Sequence, residues 1–178
     1  MTTKTIMAGF GGQGVVLMGT LLTYTAMVEG KHTTFFPSYG AEMRGGTANC
    51  SVIVSDREIA SPIVNQPDCV VAMNIASLNK FESRVKPGGI IFVNSSLIDK
   101  KIDRDDVTEI RVPANEIAED LGNARAANMV MLGGVAKKTG VVNLESLSGC
   151  LERVLSERGM PLLDLNKKAL KRGFEEVA

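Results

Sequence analysis

The sequence of 178 residues has few of the residues that bind metals or act as nucleophiles. It contains one histidine, His32, and three cysteines that lie far apart with no C-x-x-C pair, at positions 50, 69 and 150. Zinc sites and four-cysteine iron–sulfur sites need closely spaced ligands, so the chain is expected to hold neither by itself. Isolated cysteines predict buried, reduced thiols, as in a cytoplasmic protein. His32 has no evident partner for acid–base or nucleophilic chemistry, so no catalytic residue is assigned.

The chain also lacks an excess of either charge and a long hydrophobic run. Lys plus Arg and Asp plus Glu each total 20, which gives a formal net charge of zero and no basic surplus for nucleic acid or an anionic membrane. No apolar run approaches the roughly 20 residues of a membrane span, and no secretory leader pattern is present. With 44% hydrophobic and 22% charged residues, the sequence predicts one cytoplasmic globular domain over residues 1–178.

A glycine-rich turn follows the first apolar segment. Residues 6–14 read IMAGFGGQG, in which the first, second and last glycines have the spacing G-x-G-x-x-G, and an apolar segment of helix length begins at Val15. Glycines allow the backbone to turn tightly and to approach a phosphate, and the start of the next helix presents unpaired N–H groups to an anion. The candidate ligand-binding residues of this turn are Gly11, Gly12, Gln13 and Gly14.

This motif alone does not identify a ligand. A dinucleotide site needs an acidic residue at the end of the second strand, and the predicted strand at 32–36 ends without one. An NAD-dependent enzyme is therefore disfavoured. A tight turn whose glycines only allow the helix and the sheet to pack closely is an open alternative. Gly11→Val is expected to disrupt this turn if Gly11 adopts a left-handed backbone or lies against a ligand.

A second polar, glycine-bearing loop, SYGAEMRGG, occupies residues 38–46. It follows the second strand and is expected at the same edge of the sheet as the first turn, where open α/β sheets bind their ligands. Arg44 offers a planar fork for a phosphate or a carboxylate, Glu42 could orient it, and Tyr39 could stack on a ring. An ordinary surface loop in which Glu42 pairs with Arg44 is the alternative. The candidates from this loop are Tyr39, Gly40, Glu42 and Arg44.

The order of predicted elements indicates the fold class. Strands alternate with helices, which predicts an α/β, Rossmann-like fold with a mostly parallel sheet and flanking helices. An inserted hairpin is expected between the strand at 47–54 and a return segment at 59–62. The small residues at 124–139 favour a closely packed helix, and Asn143 and Asn166 are predicted to cap the last two helices. Weaker candidates for contact with a ligand at this edge of the sheet, each with helix capping as the alternative, are Asn74, Ser77, Asn79, Asn123 and Asn128.

Three motifs, in this order, resemble the gamma subunit of 2-oxoacid:ferredoxin oxidoreductases. They are GFGGQG at 9–14, SYGAEMRGG at 38–46 and ANMVMLG at 127–133, and the resemblance covers nearly the whole chain. It implies a Rossmann-like subunit of a complex that oxidatively decarboxylates a 2-oxoacid, forms an acyl-CoA and reduces ferredoxin. The short chain is most similar to the 2-oxoglutarate type, although pyruvate, branched-chain and indolepyruvate members share these motifs.

The same resemblance implies that the cofactors of the complex lie on different subunits. Thiamine diphosphate lies between the alpha and beta subunits of such enzymes, and iron–sulfur clusters lie on other polypeptides, including a ferredoxin-like delta subunit. The gamma chain is then expected to bind no cofactor alone, and its two glycine-bearing loops are expected near the entrance for coenzyme A. A stand-alone module that binds a nucleotide or coenzyme A without catalytic partners is the competing interpretation.

Overall fold

The computed structural model describes residues 1–39, 46–157 and 159–178. The strands are β1 (Thr2–Phe10), β2 (His32–Tyr39), β3 (Thr47–Ser55), β4 (Cys69–Ala72), β5 (Ile90–Asn94) and β6 (Thr108–Val112). The helices are α1 (Val15–Val28), α2 (Ile75–Phe81), α3 (Ala114–Asp120), α4 (Ala127–Thr139), α5 (Leu144–Val154) and α6 (Leu163–Glu176). Short 3₁₀ turns follow α2 and precede α4 and α6.

The six strands form one sheet in the order β2-β3-β1-β4-β5-β6. Strands β1, β4, β5 and β6 are parallel, while β3 is antiparallel to both β1 and β2. Because β3 reverses the direction twice, β2 runs the same way as β1, and both strands end at the same edge. The predicted α/β fold with a mostly parallel sheet is confirmed.

The position of the hairpin was predicted wrongly. The hairpin consists of β2 and β3, which pair from His32 opposite Ser55 to Tyr39 opposite Ala48, and residues 59–62 belong to no strand. Eight paired positions outcompete a return segment of four residues, and Pro62 has no N–H to donate to a ladder.

The two faces of the sheet carry different amounts of helix. Alternate strand residues such as Met7, Val71 and Phe92 point to a core that contains residues of α1, α3, α4, α5 and α6. Their neighbours Ile6 and Val70 point to a smaller core closed by α2 and the chain after β3. Both cores follow the period of two that β-strands impose on their side chains.

The helix boundaries correct both predicted caps. The range predicted for α1 is confirmed, but α6 begins at Leu163, so Asn166 lies inside the helix and is buried. The 3₁₀ turn that precedes α6, Met160–Leu162, contains Pro161 at its start, where a missing N–H costs no helical hydrogen bond. Asn143 occupies the cap position of α5 but makes no side-chain cap, because its Nδ2 donates to the carboxylate of Glu29 at 3.1 Å.

Helices α4 and α6 approach each other so closely that glycine is required in both. A Cβ atom added to Gly173 would lie 1.8 Å from the carbonyl oxygen of Val130, and one added to Gly133 would lie 2.1 Å from that of Leu170. Atoms cannot come so close, so the two backbones touch where no side chain intervenes. The prediction that the small residues of this region pack closely is confirmed.

All three cysteines are free and buried, as predicted. The Sγ of Cys50 donates to the carbonyl oxygen of Val15 at 3.3 Å. Burial raises the pKa of the Cys50 thiol to about 12 and also raises that of Cys69. The thiols of Cys50 and Cys69 therefore stay protonated in the core at neutral pH.

Glu29 ties the end of α1 to the start of α5. Its Oε1 accepts from the backbone N–H of Asn143 at 2.8 Å, and its Oε2 accepts from Lys31 Nζ at 2.9 Å. Lys31 also donates to the carbonyl oxygen of Val141 at 2.6 Å. Burial by itself raises the pKa of Glu29, but the donors from Asn143 and Lys31 outweigh it and leave the pKa below its ordinary value.

We expect Glu29→Gln to reduce the free energy of unfolding by about 1–3 kcal/mol at pH 7, because hydrogen bonds to a charged acceptor are lost. A carboxylate with a lowered pKa stabilises the fold above its unfolded pKa of about 4.3 and loses that contribution as the pH falls. Urea unfolding at neutral and acidic pH measures the difference from the parent, which should disappear below the folded pKa. Glu152→Gln, at an exposed position of α5, is the control. A pH-independent loss for Glu29→Gln would contradict the role of its charge.

Candidate functional site

The glycine turn after β1 has its left-handed residues at two positions. Gly12 has φ 99° and Gly14 has φ 71°, whereas Gly11 lies outside the left-handed region. The nearest heavy atom to a Cβ added at Gly11 is the carbonyl oxygen of Gly46, 3.9 Å away. The left-handed alternative for Gly11 is therefore wrong, and Gly12 and Gly14 carry that requirement, while a contact of Gly11 with a ligand stays a prediction.

The turn leaves the start of α1 open to an anion. Gly14 is the residue before the helix, no side chain caps the first turn, and that turn contains no acidic residue. The first N–H groups of a helix have no partner within the helix, and together with the helix dipole they favour negative charge. The binding of an anion at this turn stays a prediction.

The side chain of Gln13 is directed into the protein. Its Oε1 accepts from the backbone N–H of Phe10 and from Asn74 Nδ2, both at 2.7 Å. Its Nε2 donates to the carbonyl oxygen of Met73 at 3.3 Å. Gln13 thus fixes the turn after β1 to the end of β4, and its contact with a ligand stays a prediction.

Further carboxamides extend this network along the edge of the sheet. Asn74 Oδ1 accepts from the N–H of Ser77 at 2.9 Å, so Asn74 caps α2 while it holds Gln13. Buried Asn94, at the end of β5, donates through Nδ2 to Asn115 Oδ1 at 2.8 Å. With its oxygen occupied, the carboxamide of Asn115 has its Nδ2 left as a donor.

A cleft of about 190 Å³ lies beside this network. It is lined by Gly12, Gln13, Met73, Asn115, Ala124, Arg125, Ala127 and Asn128. Exposed Arg125 and Asn115, whose Nδ2 group is its remaining donor, line the cleft beside the turn before α1. A cation and several N–H donors, with no carboxylate in the lining, suit a phosphate or a carboxylate.

Asn128 joins the first and third sequence motifs. Its Nδ2 donates to the carbonyl oxygen of Gly14 at 3.2 Å, and its Oδ1 accepts from the N–H of Met129. A Cβ at Gly14 would lie 2.3 Å from Asn128 Nδ2. The left-handed turn and the close approach both require glycine at position 14.

The structure brings only part of the predicted site together. Tyr39, 69% exposed, ends β2 at the same edge as the cleft, but β3 separates it from β1. Gly40, Glu42 and Arg44 lie outside the described residues. Among the weaker candidates, Asn123 caps the 3₁₀ turn before α4 by accepting from the N–H of Arg125, and Asn79 accepts from Lys100 Nζ.

Arg125 and Asn115 are the cleft residues that sequence reasoning missed. Arg125 lies two residues after the predicted breaker at 122–123, and Asn115 is the second residue of α3, the helix after β6. The position of Asn115 after a parallel strand was the available signal, since such ends meet at the ligand edge of the sheet. Nothing in the sequence indicated that Arg125 turns toward the first glycine turn.

No group of three potential metal ligands occurs among the described residues. In the same parts of the chain, every helix is too short or too polar to cross a membrane.

The geometry defines an α/β domain whose cleft, called the crevice below, lies at the carboxyl ends of β1 and β4 and is rich in hydrogen-bond donors. After β1 the chain continues through α1 to β2 and β3 on one side of β1, and later it forms β4 on the other side. Open α/β sheets bind ligands at the point where the strand order reverses in this way. The model of the pyruvate ferredoxin/flavodoxin oxidoreductase family matches residues 4–176, and the chain belongs to that family.

Similarity to individual proteins agrees with this assignment. The chain is 41% identical over 170 residues to the ketoisovalerate oxidoreductase subunit VorA of Methanothermobacter marburgensis, which covers 94% of this chain and 35% of VorA. It is 33% identical over 172 residues to the 2-oxoglutarate synthase subunit KorC of Methanocaldococcus jannaschii, covering 95% and 90% of the two chains. The chain thus spans about a third of the length of VorA and nearly the full length of KorC.

A solved structure shares the fold over nearly the whole chain. The gamma subunit of a keto/oxoacid ferredoxin oxidoreductase from Geobacter sulfurreducens PCA superposes with a TM-score of 0.84 at 30% identity, covering 98% of this chain and 97% of that one. The resemblance to gamma subunits inferred from the three motifs is confirmed.

Proposed function

We propose that this chain is the gamma subunit of a 2-oxoacid:ferredoxin oxidoreductase that converts a 2-oxoacid to an acyl-CoA and reduces ferredoxin. The observation that carries the proposal is the donor-rich crevice at the start of α1 in a chain of this family. Thiamine diphosphate and the iron–sulfur clusters belong, in this proposal, to the alpha, beta and ferredoxin-like delta subunits.

The 2-oxoacid is a finer part of the proposal. We retain 2-oxoglutarate, supported by KorC, whose length this chain nearly matches. VorA, with a higher identity, is named for ketoisovalerate. In this arrangement the gamma chain does not touch the bond that is cleaved, so its sequence alone carries little information about the acid.

The role assigned to the crevice is to hold an anionic part of coenzyme A. The open first turn of α1, the Nδ2 group of Asn115 and the guanidinium of Arg125 surround a space whose lining contains no acidic side chain. Phosphate is bound well by such a combination of backbone N–H groups and an arginine fork. The loop at 40–45, with Glu42 and Arg44, is proposed as a second contact by its sequence alone.

We expect Arg125→Ala to weaken coenzyme A binding by roughly tenfold or more, because a charge-assisted hydrogen bond contributes about 1.5–3 kcal/mol. The measurements are calorimetric titration of the chain with coenzyme A, and the apparent KM for coenzyme A in the reconstituted complex. Arg153→Ala, an exposed arginine on α5 away from the crevice, is the control. Equal affinities for the two variants would remove Arg125 from the site.

Reconstitution distinguishes the proposal from the stand-alone module. Co-expression with candidate thiamine-binding and ferredoxin-like subunits should yield a stable complex whose 2-oxoacid-dependent reduction of ferredoxin requires this chain. A chain that binds coenzyme A tightly but joins no such complex would support the stand-alone module. Turnover by this chain without partners would contradict both interpretations.

A further inference from the structure

Within the part of the chain that the structure describes, β2 lies at one edge of the sheet, and the N–H and carbonyl groups of its outer side pair with no other strand. The hydrogen bonds from Asp56 N–H to the Met1 oxygen and from Gly11 N–H to the Gly46 oxygen flank the β1–β3 ladder. They place odd-numbered residues of β1 in its hydrogen-bonded pairs. Successive residues of β3 direct their N–H and carbonyl groups alternately toward β1 and toward β2. Even-numbered residues of β2 therefore bond to β3, and the N–H and carbonyl groups of odd-numbered residues point away from the sheet. The outward set is Thr33, Phe35, Pro37 and Tyr39.

This edge lacks the protection that edge strands usually have. Residues 32–39 contain no Asp, Glu, Lys or Arg, although charges normally keep such edges from pairing with other chains. Pro37 is the one protective residue, and it occupies an outward position, where its missing N–H costs the β3 ladder nothing. The side chain of Phe36 is 55% exposed on the face opposite α1.

The neighbouring side of α1 is also uncharged. Val16, Thr20, Thr23 and Met27 follow helical spacing, and they lie beside Gly19, whose added Cβ would meet Phe35 of β2 at 2.8 Å. The hydroxyls of Thr20 and Thr23 donate to carbonyl oxygens of their own helix at 2.9 and 2.7 Å. These threonines therefore expose methyl groups, and Met27 is 57% exposed.

We propose that β2 and this side of α1 form the interface of a homodimer. Two copies of β2 pair antiparallel about a twofold axis at Thr34, so that Thr33 of one copy lies opposite Phe35 of the other. That register uses every outward N–H and carbonyl of Thr33 and Phe35, giving four intermolecular hydrogen bonds, and it places Pro37 beyond the paired stretch.

The occupant is a second copy because this edge is complementary to itself. A twofold axis brings like residues close together, and residues 32–36 of the two copies, which include no Asp, Glu, Lys or Arg, meet without like-charge repulsion. On the face of the sheet opposite α1, exposed His32 of one copy lies opposite exposed Phe36 of the other. Registers centred on Phe35 or Phe36 place Pro37 within the paired stretch and leave a carbonyl without its N–H donor.

Light scattering after size exclusion, with sedimentation analysis over a roughly hundredfold concentration range, tests the proposal on the full chain. The parent should be a dimer that dissociates on dilution. Thr33→Pro removes an outward N–H from each copy and leaves the β2–β3 ladder intact, so it should raise the dissociation constant at least about tenfold. Met27→Lys should do the same by bringing charge into the apolar side of α1. Ile63→Lys, at an exposed residue outside β2 and α1, should have no effect.

Hydrogen exchange provides a readout that requires no substitution. The amides of Thr33 and Phe35 should exchange slowly in the parent and faster on dilution, together with dissociation. A parent that is monomeric throughout overturns the proposal, and so does a dimer that Thr33→Pro and Met27→Lys leave unchanged. Protection of these amides that appears only with another subunit also overturns it. None of these outcomes bears on the coenzyme A titration, so the proposed function is tested separately.

Discussion

Gly173→Ala should destabilise the chain by about 3 kcal/mol or more. The added methyl group would overlap the carbonyl oxygen of Val130 at 1.8 Å, and neither atom belongs to a flexible side chain. The helices α4 and α6 must separate to relieve the clash, and buried residues along their contact, such as Leu170, lose packing. For a chain of this size we expect a fall in Tm of roughly 6–12 °C, measurable by circular dichroism.

Gly149→Ala is the matched control for this substitution. Gly149 also lies within a helix, α5, but a Cβ there would have no neighbour within 4 Å. Alanine at an open helical position stabilises by about 0.5–1 kcal/mol relative to glycine. Opposite signs for the two variants would show that helix contact, rather than helix propensity, decides the outcome. A Gly173→Ala variant as stable as the parent would contradict the described approach of α4 and α6.

Gly14→Ala should lower both the stability of the fold and the affinity of the crevice for coenzyme A. Its φ of 71° is unfavourable for alanine, and the new methyl group would displace the carboxamide of Asn128, 2.3 Å away. Left-handed strain costs about 1–3 kcal/mol, and loss of the hydrogen bond from Asn128 adds about 1 kcal/mol. Because the start of α1 is the proposed anion site, coenzyme A affinity should fall by roughly tenfold or more.

The control for Gly14 is Gly30→Ala. Gly30 has a similar φ of 78°, but no atom lies within 4 Å of its added Cβ. It should show the strain in a urea titration and leave coenzyme A affinity unchanged. Equal losses of affinity in both variants would mean that the effect arises from general destabilisation rather than from the crevice.

Local patterns predicted the parts of the fold whose causes are local. The start and end of α1 follow from a glycine turn and from a continuous apolar run, and the close packing of α4 follows from its small residues. The hairpin and the start of α6 were predicted wrongly because they depend on competition between segments. The length of the ladder between β2 and β3 decides which segment pairs with β3. The last helix begins at Leu163, directly after a 3₁₀ turn, and therefore before Asn166.

The site was predictable to a similar extent. The glycine turn before α1 could be found because its spacing is itself the physical requirement. The role of Gln13 as a support depends on Asn74, 61 positions later in the chain, and Arg125 reaches the crevice only because α4 packs beside α1. Such pairings are set by the three-dimensional arrangement of helices and strands, which no periodicity in the sequence specifies.

The buried thiols make the chain an internal reporter of its own opening. With a pKa of about 12, Cys50 is ionised in roughly one molecule in a hundred thousand at pH 7, and the core blocks access to it. An alkylating reagent can modify this thiol only after the sheet and α1 separate. The rate at which Cys50 itself is alkylated therefore reports how often this part of the core opens.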